Sequence, residues 1–264
     1  MTPWTEADYK MTYIALGAGV QSSALAVMSA IGEHNVPHAD VAIFADTQDE
    51  PREVYEHLDR LITWLKPHGL RVDVVTRGKL SAGRAEGWDI TIPAFSSDGG
   101  MFWRQCTSQF KIKPINDHIR KLHNLKPGQR YPKTRALFGI GIEEIYRMKP
   151  ARDKWLTIEY PLIDAGFYRD RCAEYFKEKT GLPRPPRSAC VFCPYLSDAE
   201  WRRMKEDHPD DFARAVEYDN AIRNMKPEKG CVYVHHSRKP LEDIDFSTED
   251  QMFFNNECDG MCGV

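Results

Sequence analysis

The chain lacks a long hydrophobic run. No stretch approaches the roughly 20 consecutive apolar residues of a membrane helix, so no membrane span is expected. It also lacks a basic excess: 36 Lys and Arg face 39 Asp and Glu, for a net charge of −3. That balance excludes a wholly basic nucleic-acid binder but not a local basic face. Nor is it poor in apolar residues: with 42% hydrophobic and 11% aromatic, the composition is globular and not disordered. The opening MTPWTEADYKMTYIALG has acidic residues before its apolar run and no small-residue cleavage pattern. No secretion signal is therefore expected, and a cytoplasmic location is the default. The 264 residues suffice for one large domain, or a domain with a small appendage.

Cysteine, by contrast, is abundant: there are seven. An odd number cannot all pair, and a reducing compartment would not keep pairs oxidised, so metal, cluster or thiol chemistry is the expectation.

Tyr13–Leu16, Asp40–Phe44 and Val72–Val75 read as strands, separated by helices at Ser22–Ile31 and near Pro51–Leu65. This β-α-β-α-β alternation predicts a parallel sheet with crossover helices. Lys79–Trp103 reads as an irregular, substrate-facing loop. Ile112–Leu122 reads as a helix and Ala136–Ile142 as a strand. From about Gly166 helical patterns dominate, at Tyr168–Lys179, Asp198–Glu206 and Asp211–Met225. The expected organisation is thus an α/β nucleotide-binding domain over 1–165 and a helical, cysteine-bearing region over 166–264.

Gly17-Ala18-Gly19-Val20-Gln21-Ser22-Ser23 joins the first strand to the first helix. Gly17 and Gly19 permit positive φ and close approach of a ligand. Ser22 or Ser23 could cap the helix, whose N-terminus favours an anion. The loop is neither a Walker loop, since GK[ST] is missing, nor the dinucleotide fingerprint, since no glycine stands at 22. A plain strand-to-helix turn competes evenly with phosphate binding. Asp46 and Thr47 end the second strand, at the edge where open α/β sheets bind ligands. They could meet a ribose, an adenine edge or Mg²⁺, or Asp46 could simply cap the helix opened by Pro51.

Cys190-Val191-Phe192-Cys193 is a CxxC, and Cys106 opens a predicted helix. Thiolates suit iron–sulfur or zinc sites, and CxxC pairs also mark structural zinc. Cys172, in a helical pattern, reads as a buried filler, and Cys231 as structural. Between Met101 and Arg135 nine Lys and Arg face only Asp117, a net of +8 that leaves −11 for the rest of the chain. With Trp103, His123 and Tyr131 interleaved, this segment could meet a nucleic acid or the phosphates of a small nucleotide; a solvated helix face is the plain alternative.

Together the two loops resemble those of the PP-loop superfamily of ATP pyrophosphatases, in particular its phosphoadenosine phosphosulfate (PAPS) reductase branch. Gly19-Val20-Gln21-Ser22 is similar to the branch's Gly-x-Gln-Ser, and Asp46-Thr47-Gln48 with Glu53-Val54-Tyr55 to its Asp-Thr-Gly and Glu-Thr-Tyr. Gly141 through Arg147 is similar to the superfamily's Gly…Glu…Arg segment. The superfamily's SGGxDS is changed here, its leading Ser and its Asp being replaced. The resemblance covers roughly residues 12–200. It implies a Rossmann-like fold of the HUP (adenine nucleotide alpha hydrolase-like) kind. It further implies an adenine nucleotide (ATP, PAPS or adenylylsulfate, ATP bringing Mg²⁺) on Gly17–Ser23, Asp46, Thr47, Gly141 and Arg147.

Arg104–Pro114 is similar to the cluster-binding Cys-Cys-x-x-Arg-Lys segment of adenylylsulfate reductases, with Thr107 in place of the second Cys. The resemblance implies Cys106, Cys190 and Cys193 as ligands of a [4Fe–4S] cluster, zinc being the alternative. Glu257-Cys258 is similar to the mobile Glu-Cys-Gly tail of PAPS reductases, which makes Cys258 and Cys262 candidate nucleophiles. The implied activity is thiol-dependent sulfonucleotide reduction or cluster-dependent sulfur transfer after adenylation, drawing on a thiol reductant or a sulfur donor. A zinc-stabilised nucleic-acid-binding module without catalysis remains the alternative, and a homodimer stays open. All of these readings require Cys106 to lie beside the Cys190/Cys193 pair.

Overall fold

The computed structural model describes residues 8–84 and 90–247. In chain order, β1 (Met11–Leu16), α1 (Val20–Ile31), β2 (Val41–Asp46), α2 (Arg52–Leu65) and β3 (Val72–Thr76) alternate as the apolar pattern predicts. A two-residue β4 (Phe95–Ser96) follows, then a π-helical turn (Thr107–Ile112) that runs into α3 (Lys113–Leu122). Next come β5 (Thr134–Phe138), β6 (Leu156–Glu159), the one-turn α4 (Pro161–Asp164) and α5 (Arg169–Thr180). The described chain continues through α6 (Asp198–Asp207), α7 (Pro209–Ile222) and β7 (Val232–Tyr233). Among the described residues no helix is long and apolar enough to cross a membrane.

The main sheet has strand order β3-β2-β1-β5-β6, all neighbours parallel. The fold is a Rossmann-like α/β sheet. The chain winds outward from β1 to β3, then returns and winds the other way through β5 and β6. Strand order therefore reverses between β1 and β5, which opens a crevice at their carboxyl ends.

Helices cover both sheet faces, so β1 and β2 are continuous apolar runs. Ile14, Leu16, Ala42 and Phe44 point to a core shared with α1, α2 and α5. Their alternates Tyr13, Ala15 and Ile43 point to the opposite core with Ile115 and Ile119 of α3. α5 lies beyond the expected 165/166 boundary yet packs in the first core, where its Cys172 is fully buried. Burial pushes that thiol up to about 12, as suits a filler. A third core joins Leu80, Ile90, Ile92 and Phe110 to Ala189–Phe192, Trp201, Tyr218 and Phe246.

Four local expectations need correction. β2 starts at Val41, because the Asp40 carboxylate instead accepts the Thr12 N–H at 2.7 Å. β5 starts at Thr134, two residues before the expected start, and stops at Phe138, four residues before the expected end. The segment expected to be irregular contains β4, which pairs antiparallel with β7. β6 was not expected: an edge strand with half-buried residues carries no apolar signature.

The first core also contains a titratable group. His57 of α2 is buried, its Nε2 2.9 Å from Ser23 Oγ. Burial, helped by the nearby Arg60 charge, pulls its pKa down to about 4. The unfolded chain therefore binds a proton that the folded chain refuses between the ordinary value and about 4. Stability is full above pH ~6.5 and falls on acidification through that window, by roughly 2 kcal/mol between pH 7 and 5. Urea midpoints at the two pH values are expected to show this loss in the wild type and a clearly smaller one in His57→Gln.

Candidate functional site

The crevice is framed by the loops after β1 and β5. Positive φ in the first loop falls on Ala18 (58°), not on Gly17 or Gly19, so a side chain with a Cβ carries the strained conformation. Ser22 ties the loop shut: its Oγ accepts the Gly17 N–H at 3.2 Å and donates to the Gly19 carbonyl at 3.3 Å. Neither serine caps α1, since Ser23 is turned to His57. Gly17 and Ala18 are buried, and Ser188 lies over Gly19, at 3.6 Å from where a Cβ on it would stand.

On the other side, Gly139 meets the start of α1 directly. A Cβ there would sit 2.7 Å from the Ser22 Cα and N. Beyond it, Gln21 Nε2 donates to Glu144 Oε2 at 2.9 Å, and Glu144 also pairs with Arg147 and, at 3.7 Å, with Arg169. Gly141 caps the turn that carries Glu144 and Arg147, both buried. The structure thus brings Gly17–Ser23, Gly141 and Arg147 together, joined through the carboxylate of Glu144.

Asp46 and Thr47 part company. The Asp46 carboxylate accepts the Gln48 N–H at 2.7 Å and the Tyr55 hydroxyl at 2.8 Å. Thr47 is buried, with its Oγ1 3.3 Å from Cys190 Sγ. It forms the floor of a cavity of about 30 Å³ lined by Cys106, Cys190 and Cys193 together with Leu80, Ile92 and Phe192. Lys111 and Arg104 add positive charge to its wall. None of these cysteines is in a disulfide. Burial pushes the Cys190 thiol well up, and the Glu50 carboxylate pushes it further.

The π-helical turn and the Cys190–Cys193 turn are held to the β2 loop by charges that the sequence reading missed. Glu50 is 1% exposed and faces Lys111 Nζ at 3.6 Å, with Cys190 Sγ 3.8 Å from its Oε1. Its Oε2 is buried without a hydrogen-bond partner among the described residues. Asp49 takes the Ser81 N–H at 2.7 Å and Arg214 of α7 at 3.4 Å, while its carbonyl accepts the Val191 N–H. Tyr218 stacks on Phe192 at 3.8 Å, and burial raises its hydroxyl above the ordinary value. The run Asp49-Glu50 directly before Pro51 gave no distinct signal, since acidic residues ordinarily open helices.

Two of the nine cations of the basic segment are interior. Lys111 is buried against Glu50, and Arg135 is buried over Tyr9 while donating to Thr12. Tyr131 stacks on Trp155 at 4.2 Å, and His123 lies 3.3 Å from Thr134 Oγ1. Of the three interleaved aromatic groups, Trp103 alone is open to solvent, at 88%. Cys231 is half-buried, 3.8 Å from Asn224 Oδ1. Cys258 and Cys262 lie outside the described residues.

No protein-family model matches the chain, and neither does any curated protein. Among solved structures, the chain is similar to a phosphoadenylyl-sulfate (PAPS) reductase from Candida auris in its phosphate complex. The match has 12% identity and a TM-score of 0.44, and covers 69% of this chain and 78% of that one.

Proposed function

We propose that this chain is an enzyme of adenine-nucleotide-dependent sulfur chemistry, of the PAPS reductase-like kind, with a nucleotide crevice between β1 and β5 and a three-thiol centre next to it. The observation that carries the reading is one cavity shared by Cys106, Cys190 and Cys193 at the carboxyl end of β2. Ser188, two residues before Cys190, stands over the first loop and links the two places.

In this reading α1 supplies its N-terminal N–H groups and dipole to a phosphate. Arg147, now paired with Glu144, supplies a guanidinium for which a phosphate competes. The three thiols form a soft donor set, matched to a [4Fe–4S] cluster or to zinc. Cys106, Cys190 and Cys193 would hold the group, and metal binding would displace the raised proton of Cys190. When bound, a cluster supplies an iron site with affinity for sulfur. Three convergent cysteines favour sulfur transfer to an adenylated acceptor over simple sulfonucleotide reduction.

Anaerobic purification followed by iron, sulfide and zinc analysis tests the centre. The expected protein is brown, with about four iron atoms per chain, and Cys190→Ser loses them. Zinc without iron would move the reading to the zinc alternative. A colourless, metal-free protein that binds neither ATP nor PAPS would overturn it. Sulfite release from PAPS that depends on Cys258 or Cys262 would replace transfer with reduction.

A further inference from the structure

A second group of metal-binding side chains lies at the start of α6. Asp198, the first residue of that helix, meets His235 and His236, which follow β7. One carboxylate oxygen and two ring nitrogens lie within 4.8 Å of one another. His235 is buried, with Nε2 3.0 Å from Asp198 Oδ1. Its Nδ1 lies 2.8 Å from Ser237 Oγ and accepts the Ser237 N–H at 3.2 Å. The Phe246 ring packs edge-on against it at 5.7 Å, and the His236 ring stands 4.1 Å away.

A structural hydrogen bond accounts for Asp198 and His235, and the His236 ring adds a third ligand atom within 4.8 Å of the other two. We propose that Asp198, His235 and His236 bind one divalent transition-metal ion of the zinc type. Imidazole with carboxylate suits such an ion, and three protein ligands leave a position for water. Ser237 is the outer partner that a ligating histidine requires. Because Nδ1 accepts the Ser237 N–H, the ring proton is assigned to Nε2, which donates it to Asp198. When an ion takes Nε2, the ring carries its one proton on Nδ1 and donates it to Ser237 Oγ, while the exposed Ser237 N–H turns to solvent. The ion would tie α6 to the segment after β7 across the third core, which contains Trp201 and Phe246.

The site is separable from the cysteine cavity by spectroscopy. Cobalt(II) on thiolates gives intense sulfur-to-metal charge-transfer bands, whereas on imidazole and carboxylate it gives ligand-field bands alone. Titration of the full chain with Co²⁺ is expected to show one equivalent free of charge transfer, whether or not the cysteines bind as well. His236→Ala and Asp198→Asn should each weaken that equivalent at least tenfold while leaving any charge-transfer bands unchanged. Both variants should fold, because His236 is only half-buried and the α6 cap is built by Ser197 and Glu200. Circular dichroism checks this, and Zn²⁺ should raise Tm in the wild type and not in the folded variants. Absence of a thiolate-free equivalent in the wild type, or wild-type affinity in either variant, overturns the proposal.

Discussion

Glu50→Ala is expected to destabilise the protein by about 3–5 kcal/mol, the cost of removing one partner from a buried ion pair. The Glu50 and Lys111 side chains are 1% and 7% exposed. Thr47 donates to the same carboxylate at 3.4 Å, and Cys190 lies beside it. Without Glu50 the buried Lys111 ammonium loses this partner, and without Lys111 the buried carboxylate does. Lys111→Met should therefore be as costly as Glu50→Ala, and Glu50→Gln/Lys111→Met should recover much of the loss. The pair also fastens the π-helical turn to the β2 loop, which sets Cys106 against Cys190. The single variants should for that reason lose bound metal before they lose the main sheet. Denaturant titrations of all three variants, with metal content measured alongside, check both effects. Single-variant losses below about 1 kcal/mol would show that the pair is solvated in practice.

Gly139→Ala should be nearly as damaging. Its Cβ would lie 2.7 Å from the Ser22 Cα and N and 2.9 Å from the Gln21 carbonyl carbon, all of them backbone. No flexible side chain is there to give way, so α1 must retreat from β5. Overpacking of this kind costs about 3 kcal/mol, and here it also distorts the proposed phosphate cradle. We expect at least a tenfold loss of ATP or PAPS affinity by calorimetry. Gly19→Ala is the control. Its φ of −92° is ordinary, and its Cβ would meet Ser188 only at normal contact distance, 3.6 Å. It should leave stability within about 1 kcal/mol of wild type. The reverse ranking would refute this account of the crevice.

That contrast also marks how far the sequence could be read. The glycines that drew notice, 17 and 19, flank the strained residue, whereas Gly139, which the packing demands, passed as part of an apolar strand. β1, β2 and their helices were legible because burial on both sheet faces writes unbroken apolar runs. β6 was not, because an edge strand buries too little to leave a pattern. The Cys106 and CxxC segments were each legible as thiol sites, but nothing local shows that they meet. Lys111 and Arg135 were read as part of a basic segment, and Glu50 drew no reading; only the tertiary pairing makes them interior. Tyr131 and His123 looked available to a nucleic acid until Trp155 and Thr134 claimed them.

The third core sets an order of events during synthesis. Its two halves, Leu80–Phe110 and Ala189–Phe246, are separated by the strands and helices that complete the main sheet. The ribosome must release nearly the whole described chain before these halves can meet, whereas β1 through β3 pair with neighbours already made. Cys106 therefore waits, exposed, for partners about 85 residues downstream. Any ion or cluster carried by this trio has to be delivered after the second half of that core has emerged, by a donor able to reach a seat that closes late.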